Sequence, residues 1–377
     1  MAQDAGWGGG PPYGGAPYGG APYGGAPYGG PPGWGGWMPP PKPGVIPLAP
    51  LKLGDILGGA FSTMGRYWKQ LFGIGAAVYG GALVVAGAAA LIAYSTVSAH
   101  LHRVISLSAE QEPSPKDLAP VLIAFGAFWL VAMVALTIST AMMYAAVPAV
   151  LQEAVLGRPT TFSVIWRRAW ARIPALIGTV ILTALIVVIP VVLAMIGFLA
   201  LMIGAIALTD GPGAAVWASL GFLGALATAP LAAWLWVKFS LAPSAVVFEG
   251  QRPVAALRRS SQLVRGDWWR IFGISLLAFG MAAVANYFIQ IPFSFLGMFS
   301  GVIGGSTLAD DPNPAAIALA MSGYVVIILL GQLIGQLVSA TFPQLVTGLL
   351  YVDRRMRTEN LGPVLAEAAA VPPQYGP

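Results

Sequence analysis

Charge is what this sequence has least of. Asp, Glu, Lys and Arg make up 9% of its 377 residues, against roughly a quarter in an ordinary soluble domain. Cysteine is missing altogether, which excludes a disulfide framework, thiol catalysis and Cys-ligated zinc or iron–sulfur sites. The 19 cations are too sparse for a nucleic-acid binder, despite a net charge of +5. No Gly-x-Ser-x-Gly elbow, Walker loop or His-Glu-x-x-His motif occurs. What is present in excess is apolar: 57% of residues are hydrophobic, the composition of a membrane-embedded chain.

The few charges act as punctuation, because one at the centre of a bilayer costs roughly 2.5–3.5 kcal/mol or more. Windows free of Asp, Glu, Lys and Arg run from Gln70 to His102, Leu118 to Gln152, Ile173 to Thr209, Gly211 to Val237, Ile271 to Ala309 and Pro312 to Val352. A spanning helix needs only about 20 residues. The windows predict an all-α membrane protein with six transmembrane helices, near 72–97, 121–147, 175–203, 214–238, 271–295 and 316–342. With the N-terminus inside, 17 of the 19 cations fall on the inner side, leaving Arg103 and Lys116 outside with Glu110, Glu112, Asp117, Asp210, Asp310 and Asp311. A further span at Pro292 would move Arg354, Arg355 and Arg357 outside, against the positive-inside rule. The expectation is therefore a multi-pass protein of the plasma membrane with both termini cytoplasmic. Residues 293–309, in the fifth window, are expected to be either a re-entrant or an extracellular segment.

Residues 1–50 are different material. Four Pro-Tyr-Gly-Gly copies place Tyr13, Tyr18, Tyr23 and Tyr28 at a five-residue period, followed by Trp34 and Trp37. Glycine and proline at this density predict a disordered cytoplasmic tail. It is either a plain flexible tail or a multivalent one whose aromatic residues contact protein partners. Residues 358–377, rich in Pro and Ala and carrying Pro372-Pro373-Gln374-Tyr375, are expected to be disordered too.

Between the tails, a membrane domain over 51–357 reads as three parallel repeats, about 51–153, 154–249 and 250–353. Each begins with a basic, aromatic segment sharing one helical spacing: Leu57, Phe61, Met64 and Trp68; Phe162, Trp166, Ala169 and Ile173; Leu257, Ser261, Val264 and Trp268. Such i, i+4, i+7, i+11 stripes predict amphipathic helices. Asp55 suits the N-cap of the first, Thr160 or Thr161 that of the second, and Pro253 the first turn of the third. Each repeat then forms a transmembrane hairpin closed by a proline, Pro148, Pro243 or Pro343, and an acid, Glu153, Glu249 or Asp353.

Two groups of candidate residues follow. The amphipathic segments supply a collar of Arg66, Trp68, Arg167, Arg168, Trp170, Arg172, Arg258, Arg259, Arg265, Trp268, Trp269 and Arg270. Its residues suit the headgroup level as topology anchors or as a surface for anionic lipid. Inside the spans, Asn286, Gln290, Gln332 and Gln336 come as two i, i+4 pairs, either helix–helix glue or a polar pocket between the fifth and sixth spans. His100, His102, Glu110 and Glu112 do not form a metal-ligand spacing. Lys238 sits at the inner end of the fourth span, where it can snorkel. No catalytic, cofactor or metal residue is expected.

The stretch Val45-Ile46-Pro47-Leu48-Ala49-Pro50-Leu51-Lys52-Leu53-Gly54-Asp55-Ile56-Leu57 carries a resemblance together with two later segments. These are Leu241-Ala242-Pro243-Ser244 through Glu249-Gly250, and Arg258-Arg259-Ser260 through Trp269-Arg270-Ile271-Phe272-Gly273. Over residues 45–357 the chain resembles an uncharacterised family of actinobacterial integral membrane proteins. That family is similar to the membrane domain attached to some glycerophosphoryl diester phosphodiesterases. Their catalysis rests on a His-Arg-Gly motif, whereas here His102-Arg103 is followed by Val104, so the resemblance implies kinship of the membrane part alone. The functional expectation is a non-enzymatic scaffold or accessory subunit, with a passive transporter or lipid-handling permease as the alternative.

Overall fold

A computed structural model describes residues 42–105, 114–208, 212–308 and 314–370. The helices are α1 (Leu53–Arg66), α2 (Trp68–Ile105), α3 (Pro115–Val155), α4 (Phe162–Leu208), α5 (Pro212–Leu226), α6 (Thr228–Phe239), α7 (Ala242–Glu249), α8 (Pro253–Val264), α9 (Trp268–Leu308), α10 (Pro314–Glu359) and α11 (Leu361–Ala370). There is no strand among the described residues. Six helical stretches are long and apolar enough to cross a membrane: 68–104, 115–155, 162–204, 215–249, 268–299 and 323–359. The chain is a multi-pass, all-α membrane protein.

The spans match the charge-free windows, and the differences have local causes. The fourth span is broken at Ala227 and again at Ser240–Leu241, where α7 restarts with Pro243 in its first turn. Its counterparts Pro148 and Pro343 lie inside continuous helices. The fifth window is one helix, α9, running through Pro292 to Leu308. A separate helix precedes the first and fifth spans, whereas the second amphipathic segment continues unbroken into α4. Asp55 is not the N-cap of α1: it occupies the first turn, where its carboxylate accepts a 2.9 Å hydrogen bond from the Lys52 backbone N–H.

In the first repeat the buried stripe lies one residue before the expected one: Ile56, Ala60, Thr63 and Tyr67 are buried in and just after α1, while Phe61 and Trp68 are exposed. In the third, Leu257 and Val264 are buried as expected, and Ala256, Ser260 and Leu263 widen the buried face of α8. Small residues explain the shift in α1. A Cβ on Gly59 would stand 2.6 Å from Ile46 Cγ2 and 3.2 Å from Leu349 Cδ1, so this face approaches its neighbours more closely than a Phe or Trp face could.

Two boundaries also move. The tail expected through residue 50 ends earlier, because Val45, Ile46 and Leu51 are buried and the Val45 N–H donates to the Ala154 carbonyl at 3.1 Å. Val45 and Ile46 before Pro47, and Leu51 after Pro50, anchor this non-helical strip onto the helices. The disorder expected from 358 onward is replaced by helix up to Ala370. Leu361 and Leu365 pack on the core, and Arg158 Nη2 donates to the Ala368 carbonyl at 2.7 Å. The Pro/Gly/Tyr repeats and residues 371–377 lie outside the described residues.

The core is gathered at one end of the helices, the end that carries most of the cations. Its largest fully buried side chains include Ile46, Leu51, Ile74, Met142, Leu151, Leu176, Leu241 and Tyr351. Three units surround it: α1–α3, α4–α7 and α8–α10. Each touches both others, through α3 on α4 and α7, through α8 on α4, α6 and α7, and through α10 on α1, α2 and α3.

Candidate functional site

The three acids that close the repeats organise the basic end. Glu153 of α3 pairs with Arg168 of α4 at 2.8 Å. Glu249 of α7 takes Arg259 of α8 at 2.9 Å and also accepts from the Tyr351 hydroxyl. Asp353 of α10, fully buried, accepts the Leu51 backbone N–H at 2.8 Å. Leu51 stands just before α1, so each exit acid grips the following unit and the third grips the first.

Asp353 holds more than one partner. Arg270 Nη1 lies 2.5 Å from one of its oxygens, and Arg357 Nε lies 2.9 Å from the other. The two guanidiniums then donate to the Leu51 carbonyl at 2.9 and 2.8 Å. A carboxylate stripped of water needs such a complete set of donors. Around Glu249, Arg259 also pairs with Glu359, and Arg355 lies 2.8 Å from Glu359. Burial works against the Arg259 charge, but Glu249 and Glu359 outweigh it and hold the guanidinium pKa above its usual value. Burial likewise raises the Tyr67 phenol, with Arg66 opposing and Glu153 reinforcing the shift. The Tyr67 hydroxyl donates to the Arg158 carbonyl at 2.8 Å.

The twelve collar residues thus divide. Arg168, Arg259 and Arg270 are engaged in ion pairs between helices, a framework role that their place in basic, amphipathic segments did not distinguish. Arg66, Arg167, Arg172, Arg258 and Arg265 hold no ion pair among the described residues, and all five are exposed. The aromatic members are arranged in stacks. Trp170 stacks on Trp166 at 6.0 Å, and Trp166 on Phe162 at 5.5 Å. Trp268 stacks on Phe272 at 5.0 Å and meets Trp269 edge-on at 4.7 Å. Trp68, Trp170 and Trp269 remain exposed.

The intramembrane polar residues meet different neighbours. Gln290 Nε2 donates to Gln332 Oε1 at 2.8 Å, bridging α9 and α10. Asn286 packs against Gly335, where a Cβ would fall 1.8 Å from its Oδ1, and Phe293 packs against Gly331. Gln336 instead lines, with Gln332 and Tyr79, a groove of about 310 Å3 facing α2 and α3. Elsewhere, a cavity of about 260 Å3 between the units is lined by Tyr144, Thr183, Ser240, Phe279 and Gln344. The Gln344 Oε1 is buried with no hydrogen-bond partner there. Of the histidine group, His100 Nδ1 lies 2.9 Å from Asp117, which also pairs with Arg103. Glu110 and Glu112 lie outside the described residues.

The sequence pointed to the exit acids by their repeat but not to Arg354, Arg355, Arg357, Tyr351 and Glu359, which complete their surroundings. Arg354, 7% exposed, donates to the Leu263 carbonyl at 2.7 Å and the Arg265 carbonyl at 3.2 Å, and pairs with Asp267. The run Asp353-Arg354-Arg355-Met356-Arg357 was the available signal, since cations in the last turns of a helix pair with acids three or four residues away.

A profile described as a domain of unknown function, DUF7847, matches residues 70–353. The chain belongs to that family. The DUF7847 match begins just after α1, inside the first span, and closes on Asp353 within the sixth helical stretch, so it reaches all six spans and includes the three exit acids. No curated protein and no solved structure matches the chain.

Proposed function

We propose that this protein is a non-catalytic scaffold or accessory subunit of the plasma membrane, with both termini cytoplasmic. The exposed cations and tryptophans of its basic end engage anionic lipid, and its N-terminal aromatic repeats engage protein partners. The observation that carries this reading is the division of the arginines. One set, Arg168, Arg259 and Arg270, is consumed in ion pairs that tie the three units together, and a second, exposed set has no carboxylate partner among the described residues. About 1 kcal/mol per basic residue is available near an anionic leaflet. Kinship with the membrane domain of glycerophosphoryl diester phosphodiesterases forms part of the same proposal and carries no catalytic residue with it.

Mass spectrometry of the lipids retained by the purified full chain tests the reading. Replacing Arg66, Arg167, Arg172 and Arg258 together with Gln is expected to lower anionic-lipid enrichment at least tenfold; unchanged enrichment would overturn the lipid part. Cross-linking with and without residues 1–43 tests the partner part, which fails if the two sets of neighbours are the same.

A second reading, lipid handling, draws on the cavity beside Gln344, where Val188 and Phe279 are exposed toward the apolar surround. It predicts that Gln344→Leu alters lipid flux in reconstituted vesicles. The Gln290–Gln332 bond and the close α9–α10 seam support the scaffold reading over a pathway between those two helices.

A further inference from the structure

The basic end contains a walled pocket that the collar description does not capture. It measures about 280 Å3 and is lined by Trp234 and Lys238 of α6, Ser261 and Val264 of α8, Arg265 and Gly266 of the following turn, and Trp268 of α9. Three different helices therefore build it, and each is fixed to another. The Ser260 hydroxyl donates to the Lys238 carbonyl at 2.8 Å, joining α8 to the end of α6. Trp268 Nε1 donates to the Trp234 carbonyl at 3.4 Å, joining α9 to α6. From behind, the buried Arg354 holds the Leu263 and Arg265 carbonyls and draws the Asp267 carboxylate to itself.

That last contact decides the electrostatics. Asp267 is the acid closest in sequence to the pocket, but it is engaged by Arg354 and is not among the lining residues. Lys238 and Arg265 have no ion pair among the described residues. Lys238 Nζ lies 4.5 Å from the centre of the Trp234 ring, a contact that orients the ammonium without neutralising it. Gly266 has φ of 91°, which favours glycine, and a Cβ there would meet nothing within 4 Å. The turn thus leaves its backbone open at the pocket. The Ser261 hydroxyl donates to the Arg258 carbonyl at 2.7 Å, and a hydroxyl can rotate to donate to an anion instead.

We propose that this pocket binds the phosphate group of an anionic membrane lipid, held between Lys238 and Arg265, with the glycerol backbone against Trp234 and Trp268. The proposal rests on the reading of the basic end as lipid-facing and deepens it to one site. The source is a lipid because two walls are tryptophans and the pocket stands where the fourth span ends and the fifth begins. Two cations match a phosphomonoester, which carries about −1.5 to −2 charges, better than a diester. Phosphatidic acid is therefore expected to be retained in preference to phosphatidylglycerol, and both in preference to phosphatidylcholine.

The test uses the full chain in mixed micelles containing equal phosphatidic acid, phosphatidylglycerol and phosphatidylcholine, with bound lipid counted by native mass spectrometry. Lys238→Gln and Arg265→Gln should each lower tightly bound phosphatidic acid about tenfold, and Lys238→Arg should restore most of it. Thermal unfolding run beside each variant reports whether it is folded, and the milder Ser261→Ala should give a smaller loss in the same direction. Undiminished phosphatidic acid in the folded Gln variants would overturn the site. Millimolar inorganic phosphate that displaced the bound lipid would make the natural ligand a soluble phosphate and overturn the lipid assignment. If the fourfold Arg→Gln collar variant loses general anionic enrichment while the pocket variants keep their bound lipid, the site fails and the broader reading stands. If neither set changes any lipid, both fail.

Discussion

The two ends of the same six helices are held by different physics. At the basic end, side chains from all three units are buried against one another, and carboxylates, guanidiniums and backbone groups complete each other's hydrogen bonds. At the opposite end, Leu91, Ile123 and Leu201 are 72%, 72% and 70% exposed, and the principal polar tie described is His100 and Arg103 on Asp117. Lipid tails are as apolar as leucine, so packing one span on another in the bilayer brings no hydrophobic gain. Specific tertiary structure must then come from close contact of small residues and from polar groups, and here the polar groups concentrate at the basic end. Stability should therefore be unequal along the helices.

Substitutions can break this contrast, and the largest expected effect falls on Asp353. Asp353→Asn would leave Arg270 and Arg357 without their carboxylate in a buried site, at a cost of about 3–5 kcal/mol, measurable as lost resistance to denaturant in detergent. Tyr351→Phe removes a hydrogen bond to the Glu249 carboxylate and should cost about 1.5–3 kcal/mol in the same assay. Gly44→Ala tests the anchoring of the strip before α1. Its Cβ would fall 2.1 Å from the Ala154 carbonyl oxygen and 2.4 Å from that of Val155, backbone atoms that cannot swing aside, for a loss of about 1–3 kcal/mol. Ile123→Ala at the opposite end should change stability by no more than about 0.5 kcal/mol. A loss at Ile123 equal to that at Asp353 would erase the distinction between the ends.

The sequence made the contrast partly legible. Scarce charge marked the spans because each charge is costly in lipid, and the spacing of Glu153, Glu249 and Asp353 marked the repeats. Their partners were not legible, since Asp353 meets Arg270 at 83 residues' separation and Leu51 at 302, distances over which no local periodicity operates. The amphipathic stripe was displaced by one residue in α1 because hydrophobicity favours Phe61 over Ala60, while close packing favours the smaller side chain. Among Asn286, Gln290, Gln332 and Gln336, i, i+4 spacing correctly brought together residues on one helix. It could not tell which faced α9 and which faced α2 and α3. Helix α11 was obscured by its proline and alanines, which look like tail composition until Leu361 and Leu365 find a surface.

The central claim is that the exit acids close the three units on one another, with Asp353 fastening the strip before α1. Amide hydrogen exchange across residues 44–52 tests it most directly, because this segment is not helical before Leu53 and has no ladder of its own to slow exchange. The account predicts strong protection of the Val45 and Leu51 amides, with Asp353→Asn releasing Leu51 while Val45, bonded to Ala154, stays slow. Exchange of both amides at the rate of an unstructured peptide in the unsubstituted protein would contradict it.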